Sequence, residues 1–173
     1  MNLLLLGGMS PHNKEWIYKV EKTLSSLCQH TTVLEYAHWN DPTKTMDIDK
    51  ELAEVGEKAK ELNGDYAVFA KSVGVILALR GISGGLIKPQ KCFFVGLPLG
   101  LVAQENINLP LLLAANQNPT LLAQNTDDPA GSYAEVQTYL KDAPPNYKLI
   151  ELPGNTHNYD KYTKLKELFA GLL

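Results

Sequence analysis

Six short apolar runs recur along the chain, and segments long enough for a helix separate most of them. The runs span residues 3–6, 31–36, 66–70, 92–96, 120–124 and 147–152. Each has the length of a β-strand, and the leucine-only run at 3–6 is typical of a strand buried on both faces. Alternating strands and helices predict an α/β fold, a three-layer sandwich in which helices cover both faces of a mostly parallel six-stranded sheet.

The segments between the runs carry apolar residues at helical spacing. Helices are predicted over residues 11–27, 48–62, 73–86, 109–116, 132–140 and 159–172. The Ser-Pro pair at 10–11 is typical of a helix start, and the Ala-Pro-Pro segment at 143–145 is expected to end the fifth helix. No linker or internal repeat interrupts this order, so residues 1–173 are predicted to form one domain.

Composition and charge exclude several classes of function. Hydrophobic residues make up 45% of the 173 residues and charged residues 20%, which is typical of a soluble globular protein. The formal net charge of −3, with no dense Lys/Arg stripe, argues against nucleic acid as a partner. The opening run MNLLLLGG is too short for a signal peptide, and no stretch is long enough to span a bilayer. We therefore expect a cytoplasmic protein without a membrane partner.

The sequence also predicts no cofactor. Four scattered histidines lack the paired spacing of a metal site. The Gly-Gly turn at 7–8 lacks both the G-x-G-x-x-G fingerprint and a P-loop lysine, so nucleotide binding is not expected. Cys28 and Cys92 border apolar segments and are expected to be free thiols. These patterns carry no information on oligomeric state.

A serine follows the third apolar run at a position where an open α/β sheet binds its ligands, beyond the carboxyl end of a strand. Ser72 lies between two small residues, Ala70 and Gly74. A sharp strand-to-helix turn strains its central residue and requires small residues two positions before and after it. Such a turn exposes the hydroxyl next to a helix N-terminus, which favours an anion. Lys71 is not expected to serve as a base for this serine, because neighbouring residues at a strand end point apart.

A reactive hydroxyl needs a general base, and the base needs an orienting group. The segment QNTDDPAGS follows the fifth run and offers Asp127 and Asp128, and LPGNTHNY follows the sixth and offers His157. Because the carboxyl ends of parallel strands meet at one edge of a sheet, both aspartates and His157 are expected at the same edge as the serine. Each pattern also has an ordinary interpretation. Asp128-Pro129 is typical of a helix N-cap, small residues around a serine mark many tight turns, and a loop histidine is often solvated.

In this chain order the segments resemble the α/β-hydrolase superfamily, and in particular the small, lidless serine hydrolases of the retinoblastoma-binding protein nine group. A-K-S-V-G is similar to the G-x-S-x-G elbow, with Ala70 in place of the first glycine. D-P-A-G-S is similar to the acid loop, L-P-G-N-T-H to the histidine loop, and LLLLGGMSP to the strand and glycine turn of the oxyanion hole. The resemblance covers nearly the whole chain but lacks the two antiparallel strands that lead the family's sheet.

The resemblance implies a catalytic triad of Ser72 as nucleophile, His157 as base and Asp128 as orienting acid, with Asp127 as the second candidate acid. It also implies the strand order 2-1-3-4-5-6. That order makes strands one and three neighbours, so the glycine turn after strand one would lie beside the serine.

The implied oxyanion hole consists of two backbone N–H groups, those of Met9 and Val73. Gly8 is expected to contact the substrate at the same turn. His38 and Trp39 follow strand two and are predicted to line the mouth of the substrate site. Packing of these two rings over the edge of the sheet is the alternative interpretation.

The function that these expectations support is a serine hydrolase that cleaves an ester, thioester or amide of a small acyl substrate through an acyl-enzyme. An imidazole base predicts activity that rises with pH between roughly 6 and 7.5, and a flat profile of kcat/KM would contradict it. Two alternatives stay open. One is a catalytically inactive α/β-hydrolase scaffold that binds a partner, which Ala70 in place of glycine leaves open. The other is an acyltransferase that uses the same triad.

Overall fold

The computed structural model describes residues 1–41, 43–143 and 146–173. The strands are Asn2–Leu6 (β1), Thr31–Leu34 (β2), Tyr66–Lys71 (β3), Lys91–Val95 (β4), Thr120–Asn125 (β5) and Tyr147–Leu152 (β6). The α-helices are Asn13–Leu24 (α1), Ile48–Glu61 (α2), Val73–Ser83 (α3), Leu99–Gln104 (α4), Leu109–Ala115 (α5), Tyr133–Tyr139 (α6) and Tyr162–Leu172 (α7). Pro144 and Pro145, which were expected to end the fifth predicted helix, lie outside the described residues.

The strands form one six-stranded sheet in the order β2-β1-β3-β4-β5-β6. Every neighbouring pair is parallel, and β1 pairs with β3 so that Leu6 lies opposite Ala70. The predicted fold class and strand order are therefore confirmed. Because the strands are parallel, all six carboxyl ends lie at one edge of the sheet. The order changes direction between β1 and β3, and this is the position where α/β sheets bind ligands.

Leucine and phenylalanine side chains of the central strands form the core. All four leucines of the run at 3–6 are fully buried, as the sequence predicted. A row of aromatic rings crosses the core from α1 to α7, with centroid separations of 6.1 Å for Trp16–Phe69, 5.2 Å for Phe69–Phe93 and 6.3 Å for Phe93–Phe169. Rows of this kind hold the central strands firmly, so their carboxyl ends can position side chains precisely.

The structure differs from the predicted elements near the functional edge. The first helix begins at Asn13 because the Ser-Pro pair forms a turn, in which the N–H of Asn13 donates to the carbonyl of Ser10 at 2.9 Å. Strand β2 ends at Leu34, and a short 3₁₀ helix, Ala37–Trp39, follows it. Helix α4 was not predicted, because six residues are too few to show a helical period. No helix among the described residues is long and apolar enough to cross a bilayer.

Candidate active site

Ser72 occupies a strained turn between β3 and α3. Its φ is 55° and its ψ is −123°, a combination of backbone angles that residues other than glycine rarely adopt. The N–H of Ser72 donates to the carbonyl of Val95 at 3.1 Å, so the turn is tied to the end of the adjacent strand β4. This is the geometry that the A-x-S-x-G pattern predicted for a nucleophile elbow.

The small residues two positions before and after the serine differ in how strictly the structure requires them. A Cβ atom at Gly74 would lie 2.6 Å from the carbonyl oxygens of both Leu6 and Gly7, so only glycine allows α3 to approach β1 this closely. Ala70 is fully buried within β3, and its methyl group is accommodated beside the positive φ of Ser72. Alanine in place of the first glycine is therefore compatible with the elbow conformation.

Of the two candidate acids, Asp128 is the one in contact with His157. Nδ1 of His157 lies 2.9 Å from each carboxylate oxygen of Asp128, whose side chain is completely buried. The N–H of Ala130 donates to the same carboxylate at 2.8 Å, and the amide of Gln124 donates at 3.3 Å. Asp127 is exposed. These donors hold the carboxylate in one orientation, which is what an orienting group for His157 requires.

The imidazole of His157 lies close to the elbow, at the ends of β3 and β4. Its Cε1 atom would be 3.0 Å from a Cβ on Gly96, the residue that follows Val95 and its bond to Ser72. The side chain of His157 is 26% exposed, so a solvent path to the ring exists. Among the described residues, neither Nε2 of His157 nor Oγ of Ser72 has a hydrogen-bond partner, so the structure shows no hydrogen bond between the candidate base and the candidate nucleophile.

Gly96→Ala is expected to lower both activity and stability. The added methyl group would lie 2.8 Å from the ring of Tyr159 and 3.0 Å from that of His157, at a φ of +64° that alanine rarely adopts. We expect kcat for an ester to fall at least about tenfold, with a lower melting temperature. The matched control is Gly100→Ala, where nothing lies within 4 Å of the added methyl group. Equal effects of the two substitutions would contradict the packing argument.

The glycine turn, residues 7–10, lies between two side chains that it contacts closely. A Cβ at Gly7 would lie 2.7 Å from the ring of Trp39, and one at Gly8 would lie 2.8 Å from the amide of Asn13. Glycine is therefore required at both positions of the turn. The hydroxyl of Tyr36, which follows β2, donates to the carbonyl of Gly7 at 2.9 Å and helps to hold the turn in place.

His38 and Trp39 contact the backbone of the glycine turn. Their ring nitrogens lie 2.5 Å and 3.2 Å from the carbonyl oxygen of Met9, and both side chains are more than nine-tenths buried. Gly8 is buried as well, whereas Met9 is partly exposed. The structure therefore shows both rings packed against the glycine turn, which agrees with the packing alternative. Direct contact of Gly8, His38 and Trp39 with a substrate stays a prediction.

Comparison with known proteins identifies the fold. No family model matches the sequence, and no curated protein matches it. Among the solved structures that it resembles is Est1E from Butyrivibrio proteoclasticus with ferulic acid bound, at a TM-score of 0.76 and 15% identity over 99% of this chain and 88% of that one. An α/β serine hydrolase homologue from Coxiella burnetii gives a TM-score of 0.78 at 15% identity, over 100% and 85% of the two chains. A lidless α/β serine hydrolase from Xanthomonas campestris gives 0.73 at 17%, over 98% and 79%.

The chain has the α/β-hydrolase fold. The superfamily resemblance of the sequence is confirmed at this level, and the six-stranded sheet is consistent with a small form without a lid. The narrower resemblance to the retinoblastoma-binding protein nine group stays a prediction. In the α/β-hydrolase fold the nucleophile, acid and histidine follow one another along the chain, and Ser72, Asp128 and His157 stand in that order.

Lys71, the residue before the elbow serine, contributes a contact that the sequence analysis missed. Its side chain is only 3% exposed, and its ammonium donates to Oδ1 of Asn13 at 2.8 Å and lies 4.6 Å from the ring centre of Trp16. The amide of Asn13 in turn donates to the carbonyl of Ser10 at 3.0 Å. Lys71 therefore connects the end of β3 to the glycine turn. The signal available in the sequence was a lysine directly after an apolar run and directly before the candidate serine.

Lys71→Met is expected to change how stability depends on pH. Burial lowers the pKa of Lys71 from 10.5 to about 8, although the charges of Asp128 and Asp160 oppose that shift. Between these values the unfolded chain binds a proton that the folded chain does not, so wild-type stability rises with pH. Relative to Lys71→Met, the wild type should gain about 3 kcal/mol of unfolding free energy between pH 8 and 10.5.

Denaturant unfolding of both proteins across that pH range measures the difference. Lys22→Met, on the exposed side of α1, controls for the loss of one positive charge. A stability difference between wild type and Lys71→Met that stays constant with pH would contradict the lowered pKa of Lys71.

A cleft of about 320 Å³ opens at the carboxyl edge of the sheet, and of the predicted site residues His157 is the one that lines it. Its walls include Ser10 and His12 from the glycine turn side, Lys71 from β3, and His157 and Asp160 from the loop after β6. A larger groove of about 470 Å³ lies at the amino-terminal ends of β5 and β6, where none of the candidate residues is found. The smaller cleft is the one that could admit a substrate to His157.

Proposed function

We propose that this protein is a serine hydrolase that cleaves a carboxylic ester, thioester or amide of a small substrate. The observation that carries the proposal is the buried Asp128 carboxylate at 2.9 Å from Nδ1 of His157, at the same edge of the sheet as a serine held at a φ of 55°. The α/β serine hydrolases with the same fold support it. The ferulic acid bound to Est1E is a carboxylic acid, the kind of product that ester hydrolysis releases.

The proposed reaction begins when Oγ of Ser72 attacks the substrate carbonyl carbon. Nε2 of His157 takes the hydroxyl proton, and Asp128 stabilises the imidazolium through the Nδ1–H bond. The tetrahedral intermediate collapses when the bond to the leaving group breaks, and His157 returns its proton to the alcohol, thiol or amine that departs. Water then attacks the acyl-enzyme with the same assistance, which releases the acid and restores Ser72.

Two backbone N–H groups would stabilise the oxyanion of each tetrahedral intermediate. Val73 is the first residue of α3, where N–H groups have no partner within the helix, and Met9 lies in the adjacent glycine turn. Among the described residues, neither N–H has a hydrogen-bond acceptor. A preorganised donor of this kind contributes roughly 3 kcal/mol to transition-state stabilisation. No cofactor is required for these steps.

Labelling with a fluorophosphonate probe, followed by intact-mass measurement, tests the proposal. The wild type is expected to take up one probe molecule per chain, because only an activated serine reacts. Ser72→Ala and His157→Ala should show no adduct under the same conditions. An unlabelled but folded wild type would reject the hydrolase and favour the binding scaffold.

A further inference from the structure

We infer that Tyr159 is a positioning residue of this site, whose hydroxyl holds the Asp128 carboxylate and limits its basicity toward His157. The inference rests on the proposed function for its effect on turnover. Its effect on the imidazole can be observed without turnover.

The direction of the hydrogen bonds around the Tyr159 hydroxyl is determined by its two partners. The N–H of Asn125 donates to the hydroxyl oxygen at 3.0 Å, so the phenolic hydrogen is left for the second partner. That partner is Oδ2 of Asp128 at 2.7 Å, a distance typical of a bond to an ionised acceptor. Burial and the nearby charge of Asp128 raise the pKa of Tyr159, so the phenol stays protonated and donates.

The backbone holds Tyr159 in place at an energetic cost. Its φ is 57°, and only two other residues besides glycine have a positive φ in the described part of the chain. The indole of Trp16 donates to the carbonyl of Tyr159 at 3.4 Å, and the phenol ring fills the space that glycine leaves at position 96. Strained conformations persist where the surroundings determine them, and they are common at functional sites.

The position of Tyr159 couples it directly to His157. The two residues are separated by one position in the loop after β6, and both contact the same carboxylate, that of Asp128. Each donor to Asp128 stabilises its charge and makes it a weaker base. Without the phenol, the carboxylate would attract the Nδ1 proton of His157 more strongly and stabilise the imidazolium. The neutral base form of His157 would then require a higher pH.

The charged side chains and the second histidine that line the cleft with His157 come from β3, from the loop after β6, and from α1 and the residue before it; they are Lys71, Asp160, Glu15, Lys19 and His12. Removal of the Tyr159 hydroxyl changes none of these groups, so a shift in the NMR midpoint of His157 would report the lost contact. Tyr147 offers a matched control, because its hydroxyl donates at 2.9 Å to the carbonyl of Leu140, where α6 ends.

The test compares Tyr159→Phe with Tyr147→Phe. The titration of the His157 Cε1–H proton is followed by NMR, and kcat and KM of an ester are measured against pH. For Tyr159→Phe we expect the NMR midpoint to move to higher pH. We expect kcat at pH 7 to fall by about tenfold, which is the effect of losing one charge-assisted hydrogen bond, and KM to be unchanged. Tyr147→Phe should leave the midpoint in place. An unchanged midpoint in Tyr159→Phe would overturn the inference.

A second substitution covers the case in which Tyr159→Phe does not fold. Replacement of Tyr159 by 3,5-difluorotyrosine keeps the shape of the ring and makes the phenol a stronger donor, so the midpoint should move to lower pH. A midpoint that does not move, or that moves to higher pH, would overturn the inference. Failure of the proposed function would give a different result. The wild type would take no fluorophosphonate adduct, while Tyr159→Phe would still move the NMR midpoint of His157.

Discussion

Ser72→Ala is expected to lower kcat for ester hydrolysis by roughly 10⁶-fold, the loss seen when a triad loses its nucleophile. The substitution removes the atom that forms the acyl-enzyme. Lys71 is the adjacent nucleophilic side chain, but its ammonium is turned toward Asn13 at 2.8 Å. Residual hydrolysis would come from the two oxyanion donors alone.

The fold should be unaffected by Ser72→Ala. The hydroxyl does not cap helix α3, and alanine tolerates the backbone turn about as well as serine does. Steady-state kinetics with an activated ester and a thermal melt separate activity from stability. Ser25→Ala, which removes a hydroxyl from an exposed turn, is the matched control. Turnover by Ser72→Ala close to that of the wild type would remove Ser72 from the mechanism.

Asp128→Asn is expected to lower kcat by roughly 10⁴-fold, because an amide cannot stabilise the imidazolium and favours the wrong tautomer of His157. The surrounding geometry adds a second penalty. Donors from Tyr159, Gln124 and Ala130 all point at the carboxylate, so an amide NH₂ would face at least one of them. A lower melting temperature should therefore accompany the loss of activity.

Asp127→Asn separates the two acids that the sequence offered. Asp127 is exposed, and we expect its amide variant to keep the wild-type rate of fluorophosphonate labelling, whereas Asp128→Asn should react far more slowly. A larger loss in Asp127→Asn than in Asp128→Asn would reassign the orienting acid. The comparison is informative because the two residues are adjacent and undergo the same chemical change.

The sequence by itself predicted the six strands, the major helices and the edge of the sheet where the candidate site lies. Hydrophobic runs such as residues 3–6 and 66–70 have to be buried on both faces, and a parallel sheet between helices is the arrangement that achieves this. The elbow was also predictable, because its requirement for small residues at positions 70 and 74 is local. The strand order came from the resemblance to α/β-hydrolases rather than from any local pattern.

Only the tertiary structure decided which of the adjacent aspartates contacts His157, and it added Lys71 and Tyr159 to the site. It also gave His38 and Trp39 a contact with the glycine turn. Spacing along the chain carries no information about these contacts, because the partners lie far apart in sequence: 29 positions for Asp128 and His157, 58 for Lys71 and Asn13. Local sequence sets backbone preference and burial, whereas the direction of a buried polar side chain depends on which donors and acceptors the packed strands bring within about 3 Å of it.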